Sequence, residues 1–123
     1  MKTLVTLLLS AVLLMISCSR VPVSGRRQLH LLPESQLIGM STQQYSQFLE
    51  ENKKVDDVKA DAQMVERTGK KIAAAVEEFL KKDGSGNRVE GFNWEFNLVE
   101  DQTVNAWCMP GGKVVIYTGI MSV

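Results

Sequence analysis

The sequence is poor in the residues that build metal centres and disulfide frameworks. It has one histidine, two cysteines and no surplus of either charge, with 14 Lys+Arg against 14 Asp+Glu in 123 residues. The lone histidine, His30, excludes any site on this chain that needs two or more imidazole ligands. Two cysteines exclude a disulfide-rich scaffold, and zero net charge leaves no basic footprint, so nucleic acid is not an expected partner. What remains is ordinary globular composition, with 45% hydrophobic and 23% charged residues.

The apolar residues begin at once. Lys2 is followed by a run from Leu4 to Ile16 broken only by Thr6 and Ser10. It is shorter than the roughly 20 residues a membrane span requires, and it fits the apolar core of a secretory signal. The run stops at Met15-Ile16-Ser17-Cys18, which resembles a bacterial lipobox. That resemblance implies cleavage before Cys18 and acylation of it. More than one acyl chain, at about 0.8 kcal/mol per buried methylene, makes anchoring stable. Ser19, rather than aspartate, follows the cysteine, which points to the outer membrane facing the periplasm. The expected organisation is a signal peptide over 1–17, a lipid-anchored tether over 18–32 and a folded domain over 33–123. In the tether, Pro22, Gly25, Arg26 and Arg27 suit an exposed irregular stretch, and His30 is an incidental residue there, not a ligand. With Cys18 acylated, Cys108 has no partner and reads as a small buried hydrophobe.

Pro33 suits the first turn of a helix and Glu34 its positive end. Leu37, Met40 or Ser41, Tyr45, Phe48 and Leu49 then recur at helical spacing to about Glu51. A second helix carries Val58, Ala62, Val65, Gly69, Ile72, Val76, Phe79 and Leu80 on one stripe, with Asp56 and Asp57 at its start and Lys81 and Lys82 at its end. Gly69 on that stripe marks a close neighbour, at a propensity cost of about 1 kcal/mol relative to alanine. Asp83-Gly84-Ser85-Gly86-Asn87 ends the helix.

Phe92, Trp94, Phe96 and Leu98 alternate with polar residues, the pattern of a half-buried strand. Val104–Met109 reads as a second strand, Pro110-Gly111-Gly112 as a turn, and Lys113–Thr118 as a third strand. In the third strand Val114, Ile116 and Thr118 point to one face, Val115 and Tyr117 to the other. Both faces need cover, and two helices on one side would cover only one. The sequence therefore reads as the N-terminal part of a larger domain.

The segment Asn105-Ala106-Trp107-Cys108-Met109-Pro110-Gly111-Gly112-Lys113-Val114-Val115-Ile116-Tyr117-Thr118-Gly119 resembles the stretch just upstream of the zinc motif in the metallopeptidase family of the CAAX prenyl proteases and the bacterial heat-shock protease. Val21-Pro22-Val23-Ser24-Gly25-Arg26-Arg27-Gln28-Leu29 resembles a segment of its periplasmic, lipid-anchored members, and the likeness runs from about residue 18 to 123. It implies an α+β fold: two amphipathic helices packed on a small antiparallel sheet, an incomplete zincin-like domain lacking the zinc-binding helix. The full-length protein it implies is a zinc metalloendopeptidase acting on envelope polypeptides. Neither the H-E-x-x-H helix nor a downstream glutamate ligand occurs in these 123 residues. No catalytic or metal-binding residue is therefore assigned, and the chain alone is expected to bind no zinc and cleave nothing.

By the same resemblance Asn105 and Ala106 belong to the edge strand on which substrate lies. Asn105 would hydrogen-bond the substrate main chain and the small Ala106 would leave room for it; the plain alternative has Asn105 capping the turn after Asp101-Gln102-Thr103. Trp107 reads as core, and Glu95, Glu100 and Asp101 as solvated carboxylates without an acid–base pairing. The competing function is a non-catalytic envelope lipoprotein that kept the strand edge as a binding module.

Overall fold

A computed structural model describes residues 18–21, 23–29 and 31–123. The signal sequence at 1–17 and the expectation for His30 lie outside the described residues. The chain divides into two units, Met1–Pro33 and Glu34–Val123. In the first, β1 (Cys18–Arg20) pairs antiparallel with β2 (Arg27–Leu29), with Cys18 opposite Leu29. The Val21 N–H donates to the Arg26 carbonyl at 2.8 Å and closes the hairpin. The tether, expected to be irregular, thus carries a short hairpin, because Gly25 takes a left-handed φ of 64° that turns the chain back.

The second unit contains α1 (Glu34–Glu51), α2 (Ala60–Lys82), β3 (Glu95–Val99), β4 (Ala106–Met109) and β5 (Lys113–Tyr117). This is the expected α+β class, and both helices fall where the periodicity puts them. The sheet differs. Its order is β3-β5-β4, with β5 antiparallel to β4 but parallel to β3, so the sheet is mixed rather than antiparallel. A parallel pair needs a connection of a dozen or so residues, and β4 with its flanking loops supplies it.

The helices also lie on opposite faces of the sheet, not on one. Tyr45 of α1 packs with Val99 and Val115, supported by Phe48, Leu49, Trp107, Met109 and Tyr117. Ala62 and Val65 of α2 pack with Val55 and Leu98, supported by Phe96, Ile116 and Met121. Each helix takes one parity of strand residues, which is what period two in a strand provides. β3 is consequently buried on both faces at its end, Leu98 and Val99 alike, rather than half-buried.

On the first face the fit is close. The Ser41 hydroxyl donates to the Pro110 carbonyl at 2.7 Å, which settles the choice between Met40 and Ser41 for the buried position. Asn97 donates to the Tyr45 hydroxyl at 2.7 Å, and that hydroxyl donates to the Val114 carbonyl at 3.3 Å. Lys113 is buried too; its ammonium donates to the Asn93 carbonyl at 2.8 Å, pairs with Glu95 and lies 5.9 Å from the centre of the Tyr45 ring. Glu95, read as solvated, is thus the counter-charge of a buried lysine.

On the second face cover is partial. Gly69 lets α2 cross directly over Phe96, but α2 sits above β3, leaving Ile72 59% and Phe79 52% exposed. Both were expected on a buried stripe. The stripe is wider than the sheet beneath it.

Candidate functional site

β4 is an edge. Among the described residues it pairs only with β5. The opposite edge, β3, is covered over its C-terminal end by residues 53–55: the Val55 N–H donates to the Leu98 carbonyl at 2.9 Å, and the Glu100 N–H to the Lys53 carbonyl at 2.9 Å. Which main-chain groups of β4 are open follows from its register. The Tyr117 N–H donates to the Asn105 carbonyl at 3.1 Å, and Trp107 stands opposite Val115, Met109 opposite Lys113. In an antiparallel ladder the bonded pairs alternate. Residues 105, 107 and 109 therefore face β5, and Ala106 and Cys108 turn their N–H and C=O groups outward.

The structure places the two sequence-derived site residues differently. Ala106 lies on the open edge with outward main-chain groups. Asn105 is exposed at the head of the strand, but its carbonyl is turned in to Tyr117. Asn105 does not cap the preceding turn; that is done by Asp101, whose carboxylate accepts from the Thr103 N–H at 2.8 Å. The Thr103 hydroxyl and amide together hold the Asp101 carboxyl below its ordinary 3.8. Sequence reasoning missed Cys108, which is exposed rather than buried. Its neighbours Trp107 and Met109 pack toward α1, so Cys108 and Ala106 point to the incompletely covered face. Strand parity, odd positions in and even positions out, is the signal that could have found it.

Trp107 fixes the edge. Its ring meets Phe48 edge-on at 4.8 Å between centroids and Tyr45 at 6.3 Å, and its indole N–H donates to the Tyr117 hydroxyl at 3.2 Å. The turn that starts β5 is set by glycine: Gly111 and Gly112 have φ of 85° and 80°, and a Cβ on Gly112 would lie 2.8 Å from the Trp94 ring.

Burial pushes the Tyr45 hydroxyl above its ordinary value of 10.0, with the Asn97 hydrogen bond drawing it back and the Glu95 charge adding to the rise. A folded pKa above the unfolded one gives a stabilising contribution that is whole below pH 10 and declines as pH rises through the folded value. Alkaline titration at 295 nm should show a tyrosine ionising above 10.0 that disappears in Tyr45→Phe. A Tyr45 signal at or below 10.0 would contradict the buried placement.

Among the described residues no three His, Cys, Asp or Glu side chains come together as a metal set. The carboxylates of β3 and of the loop that follows it are engaged as well: Glu95 with Lys113, Glu100 with Lys53 at 2.7 Å, and Asp101 with Thr103. The described residues do not fit a zinc centre, and no chemical step is assigned to them.

No protein-family model matches the chain. Curated relatives do. The mitochondrial metalloendopeptidase OMA1 of Arabidopsis thaliana is 31% identical over 67 residues, covering 54% of this chain and 12% of that protein. The mitochondrial metalloendopeptidase OMA1 of Bos taurus is 26% identical over 101 residues, and that of Homo sapiens 28% over 107; each alignment covers 82% of this chain and 18% of the relative. The chain thus spans less than a fifth of the length of these relatives. The similarity supports a metallopeptidase-related role.

Proposed function

We propose that this chain is the substrate-docking part of a lipid-anchored zinc metalloendopeptidase of the bacterial envelope, of the CAAX prenyl protease and heat-shock protease type. Its edge strand Ala106–Met109 pairs with an extended stretch of polypeptide substrate, the clients being misfolded or unassembled envelope proteins. The observation that carries the reading is the open edge itself: Ala106 and Cys108 offer two donors and two acceptors in line, on the segment that resembles the substrate strand of the family. Strand addition uses that arrangement, with main-chain bonds supplying affinity independent of sequence. Asn105, exposed at the strand's head, adds a side-chain amide beside the same substrate. The zinc and its ligands belong to the full-length protein and lie outside the described residues.

The reading is tested by adding a blocked, extended peptide to the chain and following amide exchange. Exchange should slow at Ala106 and Cys108 and stay unchanged at Glu95–Asn97 on the opposite edge. Slowing confined to β3 would overturn the assignment of the edge.

Anchoring is proposed through Cys18, supported by the apolar run that ends at Met15-Ile16-Ser17-Cys18, with Ser19 favouring the outer membrane facing the periplasm. Cys18→Ser should abolish incorporation of labelled fatty acid and release the protein from the membrane fraction. Unchanged partitioning would count against the anchor.

A further inference from the structure

Charge is not spread evenly along the chain. All 14 acidic residues lie at or after Glu34, so residues 1–33 carry four Lys and Arg and no carboxylate, whereas 34–123 carry ten Lys and Arg against 14 Asp and Glu. Such segregation points to a charged surface as partner. The positive segment contains the hairpin. Arg27 opens β2 opposite Arg20 of β1, and Arg26 precedes it. Like charges at facing positions weaken an antiparallel pair, and residues 18–33 hold no carboxylate to relieve them. An anion from outside would. Arg26 and Arg27 are both exposed. The turn between the strands adds an apolar tip: Val23 is 85% exposed and holds a left-handed φ of 68°, which a β-branched residue rarely adopts. Leu31, just past β2, is 79% exposed.

We propose that the hairpin at 18–29 lies on the surface of an anionic phospholipid membrane, with Arg26 and Arg27 binding headgroup phosphates and Val23 entering the interface. The inference rests on the anchoring reading above and deepens it by naming the surface that the anchored chain meets. The arginine guanidinium matches phosphate with two parallel hydrogen bonds. Apolar residues flanking a short basic segment are what an interfacial segment presents to a bilayer. Each arginine near an anionic leaflet strengthens attachment about fivefold, and the effect fades within a Debye length. What selects lipid over a protein cover is Cys18. It is the first residue of β1, so an acyl chain on it, or an uncleaved apolar run before it, delivers the hairpin to the bilayer. The same anionic surface attracts 18–33 and repels the acidic 34–123.

The test is arginine footprinting with phenylglyoxal on the full chain, read from the masses of the peptides that contain each arginine. The chain is taken from membranes in neutral detergent and returned to vesicles of phosphatidylcholine with or without phosphatidylglycerol. Arg26 and Arg27 should react at least about fivefold more slowly in the anionic vesicles than in detergent. Protection should be less than about twofold in the neutral vesicles, and should be lost in about 1 M salt, where the Debye length is about 3 Å. Arg67, exposed on α2, should react alike throughout. If the chain sediments with the vesicles while Arg26 and Arg27 react as in detergent, the anchor stands and the hairpin proposal falls. If the chain does not sediment with either vesicle, the anchoring reading is wrong and the inference goes with it. Slow reaction already in detergent would give the hairpin to the rest of the chain, and equal protection by inorganic phosphate in detergent would give it to a free anion; either overturns the proposal.

Discussion

Gly119→Ala is expected to destabilise the chain by about 3 kcal/mol, the upper part of the usual overpacking range. A Cβ at this position would lie 2.3 Å from the Gln102 carbonyl oxygen and 2.5 Å from that of Thr103. Both are main-chain atoms, and neither is free to retreat. The Gly119 N–H donates to the Asp101 carbonyl at 2.8 Å. The Asp101 N–H donates to the Thr118 hydroxyl oxygen at 3.1 Å, and that hydroxyl donates back to the Asp101 carbonyl at 2.9 Å. Gly119 is therefore clamped against the loop that leads into β4. Gly69→Ala makes a useful contrast, because its Cβ would also come within 2.3 Å of a neighbour, the Phe96 ring. That ring is half-buried and lies on the incompletely covered face, so it can swing aside. The substitution regains about 1 kcal/mol of helix propensity as well, and its net cost should be about 1 kcal/mol or less. Urea unfolding midpoints decide the matter, and equal stability of the two variants would contradict the packing described at Gly119.

Trp107→Pro should leave the chain unfolded, whereas Ala106→Pro one residue earlier should cost about 1 kcal/mol or less, as proline is tolerated on an open strand edge. The difference comes from the ladder. The Trp107 N–H faces β5 and its ring joins the contacts with Tyr45 and Phe48. Losing that side chain costs about 3–5 kcal/mol, and losing the ladder bond about 1 more. The Ala106 N–H faces outward, so proline there removes nothing the fold uses. Far-ultraviolet circular dichroism and thermal unfolding of the two variants check this. If Ala106→Pro unfolded the chain while Trp107→Pro did not, the register of β4 against β5 would be off by one residue.

The helices, the break after Lys82, the close approach at Gly69 and the Pro110–Gly112 turn were all legible, because each depends on local pattern or on a single residue's backbone freedom. What could not be read locally was arrangement. Period two shows that β5 has two apolar faces, but not that α1 and α2 divide them, nor that β5 inserts between β3 and β4. From that order follow the burial of Asn97, the parallel pair and the openness of β4. Lys113 misleads any pattern reading, since a lysine in a strand suggests a solvated position. Here the side chain is buried, its ammonium 5.9 Å from the centre of the Tyr45 ring and tied to Asn93 and Glu95. Cys108 misleads in the opposite sense: an unpaired cysteine suggests the interior, and the strand's parity turns it out. Of the site, Asn105 and Ala106 came from resemblance. The outward pair, Ala106 with Cys108, required the register.

Docking of polypeptide by main-chain pairing on the open edge of β4 is tested by Ala106→Pro. The variant keeps the fold but lacks one outward donor and places a ring where the added strand must approach. An extended peptide that binds the unaltered chain should lose at least about tenfold in affinity for the variant, whatever its side chains. Equal binding to the folded Ala106→Pro chain would show that substrate is held elsewhere.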